Sequence, residues 1–264
     1  MGVASSTSAG LWLPAGDWSE YFAPAWRERV LERGSRLGYL HMADIKSSKW
    51  RLENGVTDRE AERKLDEAVR IIRSQGSLYP ILAHLNADHF RSAIENKNLH
   101  MDIETPGGIA RKRFDPDYMC FTRFVITTLL YVRDMHPDAQ KVDFMVERNG
   151  PITRHIERFH ASIEKTLRRE LGRADLADLV GELIPGSKEQ VPLQAADLFC
   201  WYVRNASGLR PEDRRRLHAM IDRPGYATRT SEKEVDEFAK RASVADDSDA
   251  SPDFEGVRGP TTRP

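Results

Sequence analysis

The stretch Val191-Pro192-Leu193-Gln194-Ala195-Ala196-Asp197-Leu198-Phe199-Cys200-Trp201-Tyr202-Val203 decides the fold of this chain, because it is too apolar to face water on any broad side. A proline near the start suits the first turn of a helix, and no helix breaker follows before Gly208. The pattern therefore predicts a helix over residues 192–205. Apolar side chains at i, i+3, i+4 and i+7 drive one face of this helix into a core. They are Ala195, Leu198, Phe199 and Tyr202.

Two polar side chains lie inside this apolar helix. Gln194 and Asp197 are three residues apart and share a stripe that adjoins the apolar one. An uncompensated buried charge is unfavourable, so Asp197 is predicted to meet a cation, a set of N–H donors or a metal ion. The alternative is an acidic residue in the first turn, favoured by the helix dipole. The spacing alone leaves both interpretations open.

Composition bounds the protein class. A chain of 264 residues with 40% hydrophobic content can bury one good core. We predict a single domain over residues 1–226 and a polar, largely disordered tail over residues 227–264. Lys and Arg number 40 against 41 Asp and Glu, which gives a formal net charge of −1. A net charge this close to zero produces no overall electrostatic attraction for a polyanion. Contact with a nucleic acid therefore requires a local basic patch.

The cysteines and the apolar runs indicate where the protein resides. Cys120 and Cys200 lie in apolar helical contexts, where buried free thiols fit a reducing cytoplasm. No stretch approaches the ~20 apolar residues of a membrane span. Residues 1–5 lack the basic segment that opens a signal peptide. We therefore predict a soluble, cytoplasmic protein without a membrane partner.

Hydrophobic periodicity predicts an α/β fold, a mixed sheet of about four short strands flanked by helices. Residues 96–114 are rich in Gly, Lys and Arg and are predicted to form a mobile loop with a basic end. The candidate strands are residues 10–14, 39–42, 79–85, 141–148 and 177–184. The candidate helices, besides the one over 192–205, are residues 17–33, 58–75, 118–135, 152–171 and a further helix that ends near Asp222, and residues 232–240 are weakly helical.

Acidic residues follow the strand pattern at residues 141–148. Alternation places Asp143 and Glu147 on one face, and Asn149-Gly150-Pro151 then breaks the strand. A carboxylate at a strand exit, facing a helix that carries a second one, can hold Mg²⁺ or Mn²⁺ through oxygen ligands. Glu147 and Asp197 are the candidate pair. Solvated or ion-paired acids at a strand end are the structural alternative.

A histidine stands at the predicted exit of strand 39–42. His41 is followed closely by Asp44 and Lys46. A lone histidine is compatible with a satisfied structural group or with a residue that borders the site, and the spacing does not separate the two. His84 and His89 give no zinc-binding signature.

Several motifs, in order, resemble the bacterial domain of unknown function 3800 family. Pro192-Leu193-Gln194-Ala195-Ala196-Asp197-Leu198 is similar to its C-terminal signature, in which a Gln-x-Ala-Asp element opens a helix. The other matches are Gly10-Leu11-Trp12 with Asp17-Trp18 and Trp26, Tyr39-Leu40-His41-Met42, Phe114-Asp115-Pro116-Asp117-Tyr118-Met119-Cys120-Phe121, and Val142-Asp143-Phe144-Met145-Val146-Glu147. This resemblance implies a ribonuclease H-like fold and two-metal hydrolysis of nucleic-acid phosphodiesters. It also implies Glu147 and Asp197 as ligands of Mg²⁺ or Mn²⁺, Gln194 as an orienting residue and His41 nearby.

The sequence departs from the family at its beginning. Relatives start with a strand ending in an Asp-Glu-Ser-Gly-like element, and this sequence has no acidic residue before Asp17. We expect Val3-Ala4-Ser5 to end the second strand, the first being absent, and the chain to be inactive or nearly so. Coding sequence for such an element directly upstream would indicate a misassigned start. If the chain nevertheless cleaves nucleic acid, Asp44 or Asp143 is expected to complete the site.

Two other hypotheses remain open on the sequence. The chain could be a degenerate member that binds nucleic acid or a protein without cleaving. It could also be an unrelated helical interaction protein whose polar positions are incidental. Saturable, carboxylate-dependent binding of Mg²⁺ or Mn²⁺ separates the nuclease hypothesis from both.

Overall fold

The structure is a computed structural model, and it contains helices and strands interspersed along the chain. The predicted α/β class is confirmed. The structure describes residues 5–32, 37–94, 100–105, 108–113, 116–148, 160, 163–169, 171–222 and 226–237.

The elements are numbered in chain order. The strands are β1 (Ser5–Trp12), β2 (Tyr79–Asn86), β3 (His100–Thr105), β4 (Gly108–Arg113), β5 (Val142–Glu147), β6 (Val180–Gly186) and β7 (Tyr226–Thr230). The helices are α1 (Ala15–Asp17), α2 (Ala23–Arg29), α3 (Met42–Lys46), α4 (Ser48–Glu53), α5 (Asp58–Ser74), α6 (Ala87–Ile94), α7 (Pro116–Met135), α8 (residues 163–169), α9 (Ala174–Ala177), α10 (Val191–Arg204), α11 (Pro211–Ile221) and α12 (residues 232–237). A π-helical turn, Trp18–Phe22, joins α1 to α2.

The strands form three small sheets rather than the predicted single sheet of about four strands. In the first, β1 runs antiparallel to β2 and β7 runs parallel to β2 on the other side. A second sheet is the parallel pair β5 and β6. The third is the antiparallel pair β3 and β4, which lies where the sequence suggested a mobile loop. The prediction of a mobile loop is wrong, because it rested on the glycine and charge content of this stretch. The two strands pair with each other, and this pairing satisfies their backbone N–H and C=O groups despite that composition.

The predictions for the other strands fared unevenly. Strand 79–85 is confirmed as β2, and strand 141–148 is confirmed as β5. The strand predicted at residues 10–14 begins earlier, at Ser5. The expectation that a separate strand ends at Ser5 is therefore wrong. β6 begins at Val180 rather than residue 177, because α9 comes directly before it.

The strand predicted over residues 39–42 is wrong. Met42 begins helix α3, and His41 is its N-cap residue with extended backbone angles (φ −129°, ψ 125°). A four-residue apolar run cannot by itself separate strand from helix. Met42 and Ile45 are both buried, and their i, i+3 spacing fits a helix face.

The predicted helices are largely confirmed. Thr57 caps α5 by accepting a hydrogen bond at Oγ1 from the Glu60 backbone N–H at 3.1 Å. Helix 118–135 is α7, which starts two residues earlier. The first helix begins at Ala15, so Asp17 is not its cap and instead accepts a hydrogen bond from Ser77 Oγ at 2.6 Å. Of the helix predicted over 152–171, residues 152–159, 161–162 and 170 lie outside the described residues, and residues 160 and 163–169 are helical.

The fold extends beyond the predicted domain boundary at residue 226. β7 pairs with β2 from Tyr226 to Thr230, and α12 follows it. Val235 on α12 is buried in a hydrophobic cluster that includes side chains of helix α6. The polar stretch predicted as a tail therefore supplies a strand and a helix, and its remainder, residues 238–264, lies outside the described residues.

Helices cover both faces of β1. Ala9 and Leu11 pack on the cluster that contains α10, and the Cys200 thiol of α10 donates to the Ala9 carbonyl oxygen at 2.9 Å. Gly10 points the opposite way, because neighbouring strand residues alternate between faces. A Cβ on Gly10 would lie 2.8 Å from the Phe124 ring of α7, so this position holds no side chain.

Helix α10 is central because it contacts elements of two sheets and three helices. It packs on β1, contacts β5 and lies against α2, α3 and α11. The burial of its apolar stripe confirms the prediction from the sequence. Within the residues that the structure describes, no helix is both long and apolar enough to cross a bilayer.

A buried carboxylate connects α10 and α11 to α3. Asp213 accepts hydrogen bonds from Lys46 Nζ at 2.8 Å, Tyr202 Oη at 3.2 Å and Arg216 Nη1 at 3.0 Å. Arg210 donates to its second oxygen at 3.1 Å. Burial alone would raise the pKa of Asp213, but the hydrogen bond and charge of Lys46, with those of Arg210, hold it below its usual value.

We expect Asp213→Asn to lower the free energy of unfolding by about 3 kcal/mol, because it leaves the largely buried Lys46 ammonium without its carboxylate and removes one carboxylate partner of Arg216. The Asp213 side chain is 4% exposed, whereas Asp58, paired with Arg51, is 87% exposed. Asp58→Asn is the matched control, and its effect should stay below about 1 kcal/mol. Urea denaturation measures both, and equal losses would contradict the role of Asp213. Since its folded pKa is lowered, the wild-type advantage holds above its ordinary value and disappears as pH falls through the folded pKa.

Candidate functional site

The candidate site forms where the start of α3 meets the second turn of α10. The backbone N–H of Met42 donates to Asp197 Oδ2 at 2.7 Å. Asp197 therefore meets an N–H donor, one of the predicted partners. The first-turn alternative is wrong, because α10 begins at Val191 and its first turn contains no acidic residue. The other oxygen of Asp197, Oδ1, has no hydrogen bond from any described residue.

Three charged neighbours act on Asp197. Burial raises the pKa of its carboxyl group above the usual value, and the charges of Glu147 and Asp44 raise it further. The Met42 N–H and the charge of His41 act in the opposite direction without reversing the shift. The structure thus brings Glu147 and His41 within electrostatic range of Asp197, together with Asp44.

Glu147 reaches this place because it is the last residue of β5. It pairs with Gly186 at the end of β6, and α10 contacts β5 from the side. A Cβ on Gly186 would overlap Oε1 of Gln190, which accepts the Ser187 N–H at 2.9 Å. The connection from β6 to α10 therefore folds tightly beside the strand end that carries Glu147.

Asp143 belongs to the same strand but serves another purpose. Its exposure beside the buried Val142 and Phe144 agrees with the predicted alternation. Asp143 Oδ1 accepts the backbone N–H of Glu182 at 2.7 Å and so ties β5 to β6. It lies at the opposite end of β5 from Glu147, so it is not a candidate to complete the site.

Gln194 is fully engaged inside the protein. Its Oε1 accepts the Trp26 indole N–H at 3.0 Å and the Leu40 backbone N–H at 2.9 Å, while Nε2 donates to the Glu189 carbonyl oxygen at 3.0 Å. The residue is 1% exposed. Gln194 therefore positions the segment that carries His41, and its role as an orienting residue of the site stays a prediction.

A chain of polar contacts leads away from Asp197. His41 Nδ1 lies 3.2 Å from Asp44 Oδ2, which also accepts the Tyr39 hydroxyl at 3.0 Å. The Tyr39 oxygen in turn accepts a hydrogen bond from Lys188 Nζ at 2.8 Å. Sequence reasoning noted Asp44 beside His41 but missed Tyr39 and Lys188, because no local spacing signals a contact across 149 residues.

The donor set partly fits a divalent metal ion. Glu147 and Asp197 offer hard carboxylate oxygens, which Mg²⁺ and Mn²⁺ prefer. Within the described part of the chain, no group of three or more His, Cys, Asp or Glu side chains is arranged to hold one ion. Glu147 and Asp197 therefore stay the predicted pair of ligands, with His41 and Asp44 as further charged neighbours of Asp197.

Comparisons of the chain with models of protein families, with curated proteins and with solved structures give no match. The site is accordingly interpreted from its own geometry and from the motifs quoted above.

We expect Gln194→Leu to destabilise the protein by about 3 kcal/mol, because it leaves the buried Trp26 and Leu40 N–H groups without acceptors. The matched control is Asn205→Leu, since this exposed amide only donates to the Trp201 carbonyl oxygen. Its effect should be below about 1 kcal/mol. Chemical denaturation followed by tryptophan fluorescence distinguishes the two variants. Unchanged stability of Gln194→Leu would show that the hydrogen bonds of Gln194 do not hold these segments together.

Asp197→Asn should leave stability unchanged or higher at neutral pH, because it removes a desolvated charge while Asn can still accept the Met42 N–H. The folded pKa of Asp197 is raised, so the wild type gains stability as pH falls through that pKa toward the ordinary value of 3.8. The advantage of the variant should therefore shrink on acidification. Denaturation of both proteins across this range measures it. An unfolded variant would show that Asp197 is structural.

Proposed function

We propose that this protein is a ribonuclease H-like domain that acts on nucleic-acid phosphodiesters with Mg²⁺ or Mn²⁺, with Glu147 and Asp197 as metal ligands. The observation that carries the proposal is the raised pKa of the Asp197 carboxyl group at the margin of the core, which results first from burial and is raised further by the charge of Glu147. Neighbouring acids with perturbed pKa values are typical of functional sites. The mixed α/β fold and the motifs shared with the family support the same function.

The protein's own groups would prepare the site for a cation. Binding of a divalent ion requires both carboxylates in the charged form, so Asp197 would release any proton that its raised pKa retains. Asp197 Oδ2 is already oriented by the Met42 N–H, which leaves Oδ1 for the ion. Such an ion activates water and stabilises the leaving oxygen in phosphodiester hydrolysis.

Two carboxylates make a weak cage for Mg²⁺, which gives up its water reluctantly. We therefore propose that the chain binds the metal ion weakly and cleaves slowly or not at all. Mn²⁺ takes the same octahedral oxygen coordination as Mg²⁺ and serves as the probe ion.

A second candidate function is a nucleic-acid- or protein-binding module without catalysis. The observation that favours it is the absence, among the described residues, of three metal-ligating side chains in one place. In that case the acids at α3 and α10 would serve recognition or local structure rather than hydrolysis.

We expect saturable Mn²⁺ binding by the wild-type protein in calorimetry, weakened at least about tenfold by Asp197→Asn and by Glu147→Gln. The matched control is Asp143→Asn, which removes one charge from the same strand but lies at its other end. It should leave Mn²⁺ binding intact. The wild-type protein and the three variants are then tested for metal-dependent cleavage of single- and double-stranded nucleic acids.

The absence of saturable Mn²⁺ binding by the wild type would overturn the metal-dependent function and leave the binding module. Equal weakening by all three variants would show that general charge, not a site, attracts the ion.

A further inference from the structure

The connection between β6 and α10 presents a positioned cation. Lys188 Nζ donates a hydrogen bond to the Tyr39 hydroxyl oxygen at 2.8 Å and lies 4.3 Å from the centre of the same ring. A lysine ammonium has three N–H donors. The other two have no acceptor among the residues that the structure describes.

Tyr39 is itself held in place, which fixes Lys188 further. The Tyr39 hydroxyl donates to Asp44 Oδ2, and the same oxygen lies 3.2 Å from His41 Nδ1. The hydrogen bond to Tyr39 also raises the pKa of Lys188, so the ammonium remains charged at neutral pH. The cation is thus connected through Tyr39 and Asp44 to the neighbourhood of Asp197.

A polyanionic substrate needs such a cation at this site. The carboxylates of Asp44 and Glu147 both lie within electrostatic range of Asp197, and the three would repel a phosphate group. Lys46, the lysine at the end of α3, is committed to the buried Asp213 at 2.8 Å. Among the described lysines around the site, Lys188 therefore has the donors to spare.

We propose that Lys188, positioned by Tyr39, binds a phosphate group of a nucleic-acid strand beside the Glu147–Asp197 pair. This inference rests on the proposed function, because it assigns the phosphate contact of the same site. Lysine binds phosphate as a point charge. Contact with the Tyr39 ring and hydroxyl holds the flexible side chain before the ligand arrives, so less conformational freedom is lost on binding.

The test is fluorescence anisotropy with the full chain and a short labelled single-stranded oligonucleotide, at low salt and in EDTA so that no cleavage intervenes. Lys188→Met should weaken binding about tenfold, since it removes one charge-assisted contact. The slope of log K against log salt should fall by about 0.7, as expected for one lost contact to a single strand. Lys188→Arg should retain most of the affinity.

Tyr39→Phe separates positioning from charge. It keeps the ring under the ammonium but removes the hydroxyl oxygen that accepts from Lys188 and donates to Asp44. The expected loss is smaller than that of Lys188→Met, with an unchanged salt slope, because the cation is still present.

Lys141→Met is the matched control for net charge. Lys141 precedes β5, at the opposite end of that strand from Glu147, and donates to the Val180 carbonyl oxygen at 3.0 Å. Binding should change little in this variant. If the wild type does not bind the oligonucleotide, or if Lys188→Met behaves like Lys141→Met, the inference is overturned.

Mn²⁺ calorimetry distinguishes this failure from failure of the proposed function. Lys188→Met should bind Mn²⁺ at least as well as the wild type, because it removes a positive charge near the ligands. Intact Mn²⁺ binding with unchanged oligonucleotide affinity refutes only the role of Lys188. Lys188-dependent oligonucleotide binding without saturable Mn²⁺ binding upholds the phosphate contact and refutes the metal site.

Discussion

The buried amide of Gln194 is the interaction on which the candidate site depends. It joins the indole of Trp26, the backbone of Leu40 and the carbonyl oxygen of Glu189 through hydrogen bonds of 2.9–3.0 Å. Each partner belongs to a different part of the chain, so this one side chain connects α2, the segment before α3 and the connection before α10. Because an amide buried without partners is strongly unfavourable, these three segments are held in one arrangement.

The position of Asp197 follows from that arrangement. Holding Leu40 against α10 brings the first N–H of α3 to Asp197 Oδ2, since Met42 lies two residues further on. The same placement brings His41 and Asp44 within electrostatic range. One face of α10 therefore builds the core, while the adjoining stripe makes the polar contacts of the candidate site. The amide and the carboxylate, three residues apart, perform separate tasks on one helix.

Local hydrophobic periodicity was sufficient to predict α5, α7, α10, β2 and β5. It therefore also predicted the stripe of α10 that carries Gln194 and Asp197. It failed where structure depends on contacts between distant residues. The Leu40 and Met42 contacts with α10 span 154 and 155 residues, so the short run before α3 was misread as a strand. β7 forms because β2 offers it a parallel edge, although its own sequence is polar. Lys188 carries no motif, and only the folded chain places it on Tyr39.

Metal ion and nucleic acid would bind to such a site interdependently. Asp197 has two neighbouring carboxylates, Asp44 and Glu147, and the three negative charges would oppose a phosphate group that arrives without a cation. Two ligating carboxylates alone hold a divalent ion weakly, whereas phosphate oxygens add further hard ligands to it. The metal ion would therefore reduce the charge repulsion that opposes the nucleic acid, and the nucleic acid would supply ligands that the ion lacks. Linkage requires each of the two to raise the affinity for the other by the same factor. In the proposed role, Lys188 would offset part of the same repulsion from the protein side, so that a nucleic-acid strand could approach before an ion is bound.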